Sequence, residues 1–479
     1  MDQNSRARVT GTDTIIWWVR RDLRLADQPL LAAAEGRVVI PVYILDPVDA
    51  GLGAAPKWRL GLGLGAFAEM LAAQGSRLIL RRGPALDVLR ALVAKTGAGA
   101  VWWGRQYDPV AKARDTEVKA ALKAQGVDAR SFEGHLLVEP WTVQTGSGGF
   151  YQVYTPFWRS VRDRAMPAPL APVVPKAPET WPDSLPLDAL DMGRAMGRGA
   201  PVVARHIHVG EVAARARLDG FIADKIATYA EKRDLLAEDA GSSLSENLTW
   251  GEISPRALWA AGQRAMAQGA AGAETFLKEV VWREFAYHLM HHTPHLTETN
   301  WKAGWDSFPW AGESEASLRW KQGRTGCVVV DAAMRELYVT GRMHNRARML
   351  VASYLTKHLL TDWRVGQTWF AETLVDWDPA SNAMGWQWVA GSGPDAAPYF
   401  RIFNPDTQAE KFDPKHRYRD RWLRTRGPQP SPDALAFFDA IPQSWGLKPT
   451  DPAPTPLIDL AEGRARALAA YETRATKSA

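Results

Sequence analysis

The chain has 479 residues, of which 46% are hydrophobic and 23% are charged, a composition typical of a soluble globular protein with two or three domains. Its net charge of +5 is compatible with an anionic partner but does not require one. The single cysteine, Cys327, excludes an intramolecular disulfide and a cysteine-ligated zinc or iron–sulfur site. Because the sequence has no run of about 18 uncharged apolar residues and no apolar signal core at its start, we expect a cytoplasmic protein without a membrane span.

The first 140 residues alternate short, β-branched apolar runs with stretches of helical spacing. This alternation predicts a parallel α/β sheet whose strands are buried on both faces. No glycine-rich phosphate motif of the dinucleotide or P-loop type follows these runs. The predicted strands are TIIWWV (14–19), VVIPVYIL (38–45), RLILRR (77–82) and AVWW (100–103).

The rest of the chain divides at a proline-rich stretch, 166–192, which can neither continue a helix nor form a central strand. After about residue 207 the strand pattern ends, and Ala-, Leu- and Arg-rich segments predict helices only. We expect the tail after Arg426 to be peripheral. The predicted parts are an α/β N-terminal domain (1–140), a long linker (141–206) and an all-α C-terminal domain (207–479).

The segment GSSLSENLTWGEIS (241–254) is rich in small and hydroxyl residues and lies between two helical stretches. Hydroxyls and free backbone N–H groups at a helix start can bind a phosphate. The alternative is ordinary helix capping by Ser245 or Ser254.

A second candidate site lies in EVVWREFAYHLMHH (279–292), where Glu279, Trp282 and Arg283 fall within about one helical turn and can share a site. This stretch ends with three histidines, His288, His291 and His292. No acidic ligand stands at a fixed spacing from them, so we interpret them as a solvated face and expect no metal.

Helical spacing in GRMHNRARM places Arg342, Asn345, Arg346 and Met349 on roughly one face, with Arg348 pointing elsewhere. An amide, a guanidinium and a thioether on one face can bind a flat polar ligand and its phosphates. An amphipathic surface helix is the alternative.

Two further features concern charge and aromatic content. The stretch 411–426 has seven Lys and Arg residues against two Asp, which predicts either contacts with nucleic-acid phosphates or a solvated face. Of the 22 tryptophans, 14 follow residue 249. Buried tryptophan usually belongs to a core, and a role in electron transfer requires a redox cofactor nearby.

Taken together, these motifs resemble those of the photolyase/cryptochrome family, and in particular the photolyases that split cyclobutane pyrimidine dimers. The resemblance covers nearly the whole chain, and its motifs occur in the family's order. They are WWVRRDLRLADQPLL (17–31), VWREF (281–285), WKQGRTGCVVVDAAMR (320–335), MHNRARM (343–349), DWDPASNAMGWQW (376–388) and DAAPYFRIFNP (395–405).

The resemblance implies an α/β N-terminal parallel-sheet domain joined by a long linker to an all-α C-terminal FAD-binding domain. It implies a light-dependent carbon–carbon lyase in which excited, reduced FAD gives an electron to a dimer flipped out of DNA. The expected partner is UV-damaged DNA, and the expected state is a monomer.

The resemblance also assigns cofactor residues. Matching positions imply that Ser242, Leu244 and Ser245 bind the FAD phosphates and that Arg348 and Asp376 form an ion pair beside the flavin. The remaining implied cofactor residues are Tyr229 and Arg233, which border FAD, Asp378, near its ribityl chain and ring edge, and Asn382, facing its central reactive nitrogen.

The lesion pocket and the electron path follow in the same way. The implied dimer-binding residues are Glu279, which also steadies the developing charge, and Trp282, Asn345, Arg346, Met349 and Trp388. The implied electron chain from flavin to surface is Trp386, Trp363 and Trp310. For Trp377 we expect only core packing.

Several positions depart from the family's pattern. A Thr is replaced by Gly241, a Pro-Tyr pair by Glu246-Asn247, an apolar residue and Pro by Cys327-Val328, a frequent Trp by Arg342, and another Trp near the dimer by Phe276. These differences indicate a divergent subgroup.

The main alternative is a cryptochrome, a blue-light receptor without repair activity. A (6-4) photolyase would have two histidines in the helix that here supplies Asn345 and Met349, and a plain flavin oxidoreductase would show a nicotinamide-binding motif. For the antenna chromophore, 102–115 resembles the wall of the site, and Asp108 stands where folate binders often have Glu. Methenyltetrahydrofolate is therefore preferred over a deazaflavin.

Overall fold

The computed structural model describes residues 13–396, 398–399, 401–423 and 429–477. Five parallel strands form one sheet in the order β3-β2-β1-β4-β5. The strands are β1 (Thr14–Val19), β2 (Val38–Leu45), β3 (Ile79–Arg82), β4 (Ala100–Gly104) and β5 (Asp128–Phe132). The four predicted strands are confirmed. The fifth was missed because DARSF is polar and only half-buried, as is usual for a strand at the edge of a sheet.

Adjacent tryptophans in the central strands explain why the sheet is buried on both faces. Trp17 and Trp102 belong to one core, whereas Trp18 and Trp103 belong to the core on the opposite face. Alternate side chains of a strand point to opposite faces, so each Trp-Trp pair supplies one ring to each layer.

Helices cover both faces of this sheet, and one helix follows it. They are α1 (Pro29–Ala34), α2 (Pro47–Ala50), α3 (Ala54–Ala73), α4 (Ala85–Thr96), α5 (Pro109–Ala124) and α6 (Tyr154–Arg162).

From residue 200 onward the described chain is largely helical, as predicted for the part after residue 207. Its helices are α7 (Ala200–Val203), α8 (Glu211–Asp224), α9 (Tyr229–Lys232), α10 (Ser245–Thr249), α11 (Pro255–Ala267), α12 (Ala273–His292), α13 (Glu315–Lys321), α14 (Val328–Thr340), α15 (Asn345–Ser353), α16 (Trp363–Thr373), α17 (Pro379–Ala390), α18 (Pro405–Phe412), α19 (Arg417–Trp422), α20 (Pro432–Ala440) and α21 (Leu460–Lys477). A π-helix, Tyr354–His358, continues α15.

The chain between α6 and α7 is mostly irregular and contains two short 3₁₀-helices, Asp188–Leu190 and Arg194–Gly199. It lies against the sheet, where Val39 N donates to Lys176 O at 2.9 Å and Leu185 N donates to Leu80 O at 3.0 Å. Helices α6 and α7 also fall within the predicted linker. The domain boundaries at residues 140 and 206 stay predictions.

The prediction of a peripheral tail is wrong. Phe437 in α20 is fully buried in the largest core, and Ala467 in α21 is fully buried against a second cluster. Pro432 stands in the first turn of α20, where proline is favoured, so the prolines of this region start a helix as well as interrupt the chain.

None of the helices in the described ranges combines the length and apolar character needed to cross a bilayer.

Candidate active site

A cavity of about 560 Å³ opens in the helical part of the molecule and gathers most of the residues singled out in the sequence. It has the size of a typical cofactor or ligand site. The predicted site residues on its wall are Arg233, Ser245, Glu279, Trp282, Asn345, Arg346, Arg348, Met349, Asp376, Asp378, Asn382, Trp386 and Trp388. Residues from four separate motifs therefore share one site.

Helix α17 supplies the floor of this cavity. Asp378 caps the helix by accepting a hydrogen bond from Ser381 N at 2.8 Å, and proline follows it in the first turn. Asn382, Trp386 and Val389 then recur at helical spacing on the cavity side. The DWDPASNAMGWQW motif thus forms the start of α17 and the face of α17 that lines the cavity.

The Arg348–Asp376 pair forms one wall. Arg348 Nη2 lies 2.8 Å from Asp376 Oδ2, and Ser245 Oγ donates to the same oxygen at 2.7 Å. Ser245 therefore does not cap a helix, whereas Ser254 caps α11 by accepting from Ala257 N. The capping interpretation holds for Ser254 alone.

Asp378 belongs to a buried network that the sequence did not reveal. The Tyr287 hydroxyl donates to Asp378 Oδ2 at 2.5 Å and lies 2.9 Å from His135 Nε2. Burial, together with the Asp378 carboxylate, raises the pKa of Tyr287 well above its usual value. Burial and the neighbouring Arg283 guanidinium lower the pKa of His135 well below its usual value, so the imidazole is neutral. Tyr287 stands one helical turn after Arg283, a spacing that could have indicated it.

Four buried polar atoms of the cavity-lining residues have no hydrogen-bond partner within the described part of the chain. They are Arg346 Nε, Trp377 Nε1, Asn382 Oδ1 and Trp386 Nε1, although Asn382 Nδ2 donates to Gln367 O at 3.0 Å. An unpaired buried acceptor is costly unless a ligand donates to it. The wall thus fits a large ligand with a polar edge, which is the chemistry of a flavin ring.

The opposite side of the cavity carries charge. Glu279 forms an ion pair with Arg233, and Arg346 Nη2 lies 2.7 Å from Asp234 Oδ2. Arg346 Nη1 also approaches Met349 Sδ at 3.9 Å. Because these groups are half-buried, they can exchange partners when a polar ligand enters.

Trp282 lies on the cavity wall with one face already covered. The ring of Tyr154, from α6, stacks on it with centroids 3.6 Å apart and planes at 7°. The Tyr154 hydroxyl donates to Lys278 O at 2.6 Å, which fixes the tyrosine. Tyr154 was missed because it lies in the predicted linker, where no spacing pointed to the site.

The helix predicted from 342 to 349 begins later than expected. Helix α15 starts at Asn345, so Arg342 is not on its face and instead pairs with Glu246. The shared face of Asn345, Arg346 and Met349 is retained, and Arg348 also lines the cavity. Arg348 lines a different wall from Arg346, because Arg348 pairs with Asp376 whereas Arg346 pairs with Asp234.

Three other predicted cofactor residues lie outside the lining. Tyr229 is buried and packs edge-on against Phe221, and its ring lies 5.5 Å from the Arg233 guanidinium. Leu244 is buried and Ser242 is half-buried in the loop before α10. Phe276 is buried against Phe221 and does not line the cavity.

The three tryptophans of the predicted electron chain occupy neighbouring segments. Trp386 packs so closely on Gly366 that a Cβ there would come within 2.0 Å of its ring, and Gly366 is in the helix that Trp363 begins. Trp363 Nε1 donates to Asn300 Oδ1 at 2.9 Å. A bridge between Ala311 and Thr361 holds the Trp310 segment beside it. Trp386 and Trp363 are buried and Trp310 is half-buried.

Trp377 is half-buried on the largest core and also lines the cavity, so core packing describes it only in part. The Arg21 guanidinium lies 5.6 Å from its ring centroid.

The basic stretch 411–426 is partly neutralised within the protein. Arg419 pairs with Asp413 at 2.9 Å, Arg421 pairs with Asp433 at 2.6 Å, and Arg417 pairs with Glu238. Arg424 and Arg426 lie outside the described residues.

The interpretation of the three histidines as a solvated face is wrong for His288. Its side chain is buried, and its Nε2 accepts a hydrogen bond from Tyr151 N at 3.0 Å. His292 stacks on Phe150 with ring centroids 4.9 Å apart. Within the described ranges, no cluster of three or more His, Cys, Asp or Glu side chains is placed to hold a metal ion.

Comparison with known proteins decides the family. A family model described as DNA photolyase matches residues 15–178, and one described as the FAD binding domain of DNA photolyase matches residues 276–473. A deoxyribodipyrimidine photo-lyase of Agrobacterium fabrum is 45% identical over 477 residues, covering 96% of this chain and 98% of the relative. The chain belongs to the photolyase/cryptochrome family.

Other members of the family are similar in sequence and fold. The crystal structure of a class III photolyase from Agrobacterium tumefaciens matches with a TM-score of 0.90 and 43% identity, over 98% of this chain and all of that one. Cryptochrome-2 of Arabidopsis thaliana is 33% identical, over 86% of this chain and 70% of the relative. Both the sheet domain and the FAD-binding helical domain are therefore those of the family.

Proposed function

We propose that the protein is a light-dependent DNA repair enzyme, a deoxyribodipyrimidine photo-lyase that splits cyclobutane pyrimidine dimers. The observation that carries this proposal is one cavity lined both by Glu279, Trp282, Asn345, Met349 and Trp388 and by Asp378 and Asn382. Curated relatives named as this enzyme, up to 45% identical over most of the chain, support it.

FAD fits the residues present. Arg348, Asp376, Asp378 and Asn382 would hold the flavin, and Ser242, Leu244 and Ser245 its phosphates, with Tyr229 and Arg233 alongside. When bound and reduced, FAD supplies the light-excited electron that opens the dimer. Asn382 Oδ1, a buried acceptor with no partner in the described part of the chain, supports this placement because it can accept from a ring N–H.

The remaining cavity residues would bind the flipped lesion. The free face of Trp282 and the ring of Trp388 offer apolar surfaces for two pyrimidines, and Asn345 offers an amide to a base edge. Glu279 would accept a pyrimidine N–H once Arg233 has turned toward a phosphate, since the two now pair with each other. Arg346 would hold a flanking phosphate.

Trp386, Trp363 and Trp310 would carry electrons from the surface to the flavin. The decreasing burial from Trp386 and Trp363 to Trp310 supports a path that ends at solvent.

A second chromophore is proposed beside the sheet domain. A cavity of about 170 Å³ there is lined by Trp103, Tyr107, Lys112 and Trp141, among others. Aromatic rings with a cation suit a flat, anionic chromophore. The preference for methenyltetrahydrofolate over a deazaflavin rests on the resemblance of residues 102–115. Asp108 is not on this wall and caps α5 by accepting from Ala111 N at 2.9 Å. Mass spectrometry of the extracted chromophores identifies the antenna.

The alternative function is that of a cryptochrome photoreceptor. It is considered because Cryptochrome-2 of Arabidopsis thaliana is 33% identical to this chain. The two functions differ in the response of damaged DNA to light. The purified protein with reduced FAD should remove dimers from irradiated thymine-containing DNA under blue light and leave them intact in the dark. FAD binding without any loss of dimers would favour the photoreceptor.

A further inference from the structure

A buried ionic cluster holds the loop that precedes α10. Glu246, in the first turn of α10, is fully buried and is surrounded by three arginines. Arg59 Nε lies 3.1 Å from Glu246 Oε2, and Arg217 Nη1 lies 2.7 Å from Oε1. Arg342 pairs with the same carboxylate. The Glu246 carboxylate thus binds Arg59 of α3, Arg217 of α8 and Arg342 of the loop between α14 and α15.

The cluster connects the loop to the sheet domain. Arg59 comes from α3 and is itself fully buried, and its Nη2 pairs with Glu252 Oε2 at 2.7 Å. Asn247 Nδ2 donates to the same Glu252 oxygen at 2.6 Å. Removing one partner of a buried pair leaves an uncompensated charge, so the loss of Arg59 or Glu252 would be strongly destabilising.

The turn that the cluster supports has an unusual backbone. Ser243 has a φ of +53°, in the left-handed region that residues other than glycine rarely adopt. Its carbonyl oxygen accepts a hydrogen bond from Arg217 Nη1 at 2.6 Å. Arg217 Nη1 therefore binds both the Glu246 carboxylate and the Ser243 carbonyl oxygen. A left-handed conformation at a residue other than glycine persists only where the surroundings enforce it.

We propose that Arg217, fixed by Glu246, is a positioning residue that keeps Ser243 left-handed and so orients the neighbouring Ser242 and Ser245 toward the diphosphate of FAD. This inference rests on the proposed function, since it assigns that loop to the cofactor. It also gives the departures at Glu246 and Arg342 a common reason, because the two replacements form an ion pair with each other.

The test is the dissociation constant of FAD, titrated into protein stripped of its cofactor. Arg217→Met should raise the constant about tenfold, the typical effect of losing a charge-assisted hydrogen bond. Arg215→Met, an exposed arginine two residues earlier in α8, is the matched control and should leave it unchanged. Glycine adopts a positive φ without strain, so Ser243→Gly alone should change it by less than about twofold.

The decisive measurement is the double variant. If Arg217 acts by holding the turn, Ser243→Gly in the Arg217→Met background should recover most of the lost affinity. A double variant as weak as Arg217→Met would overturn the inference, as would an Arg217→Met protein that binds FAD as tightly as Arg215→Met. If the unaltered protein binds no FAD at all, the proposed function itself fails.

Discussion

Tyr154 stacks behind Trp282 as the second ring of the aromatic wall, and its role can be tested by changing that one residue. Tyr154→Ala removes the stacked partner, so Trp282 loses its fixed plane, whereas Tyr154→Phe keeps the stack and loses only the bond to Lys278 O. An aromatic pair is worth about 0.5–1.5 kcal/mol beyond its buried area. We expect Tyr154→Ala to weaken the binding of dimer-containing DNA about three- to tenfold in the dark.

The control for this change is Tyr151→Ala. Tyr151 belongs to the same core but packs on Phe157 and His288, away from the cavity. Equal weakening by both alanine variants, or equal weakening by Tyr154→Phe, would show that the stack has no specific role.

Trp386 gives a second prediction for a single side chain. Trp386→Phe keeps an aromatic ring against Gly366 but removes the indole, which is the more readily oxidised group. We expect light-driven reduction of bound FAD, followed by absorbance, to fall at least about tenfold, a loss of the size that a barrier higher by about 1.4 kcal/mol would cause. Repair after chemical reduction of the flavin should persist, and photoreduction at the normal rate would remove Trp386 from the path.

Helix α20 ties the C-terminal segment to the fold, because one of its faces packs into the largest core. Its residues Phe437 and Leu435 lie on opposite sides, one fully buried and the other 40% exposed. Phe437→Ala should lower the free energy of unfolding by about 3–5 kcal/mol in urea denaturation, because it leaves a cavity in the largest core. Leu435→Ala should change it by about 0.5 kcal/mol or less. Similar losses for both would place α20 outside the cooperative core.

Across the whole molecule, the sequence predicted those features that depend on local pattern. Apolar runs such as TIIWWV predicted the inner strands, and the helical spacing of Asn345, Arg346 and Met349 predicted a shared face. The resemblance brought distant motifs into one site, and thirteen of the predicted site residues line the same cavity.

What the sequence could not supply depends on contacts between distant segments. The strand Asp128–Phe132 carries no apolar run, and Tyr154 meets Trp282 only because α6 folds back on α12. The Glu246 cluster unites Arg59, Arg217 and Arg342 across nearly three hundred residues of chain, and no spacing rule connects them.

Light-dependent repair by the intact molecule tests the central claim most directly. The loss of cyclobutane dimers from irradiated DNA should be followed with FAD reduced, in blue light and in the dark, for the unaltered protein, Glu279→Gln and Glu274→Gln. Glu274 is an exposed residue on the same helix that pairs with Lys278. We predict repair in light only, reduced at least about tenfold by Glu279→Gln because a charge-assisted hydrogen bond to the lesion is lost, and unchanged by Glu274→Gln. Dimers that persist in light with reduced FAD bound would contradict the assignment.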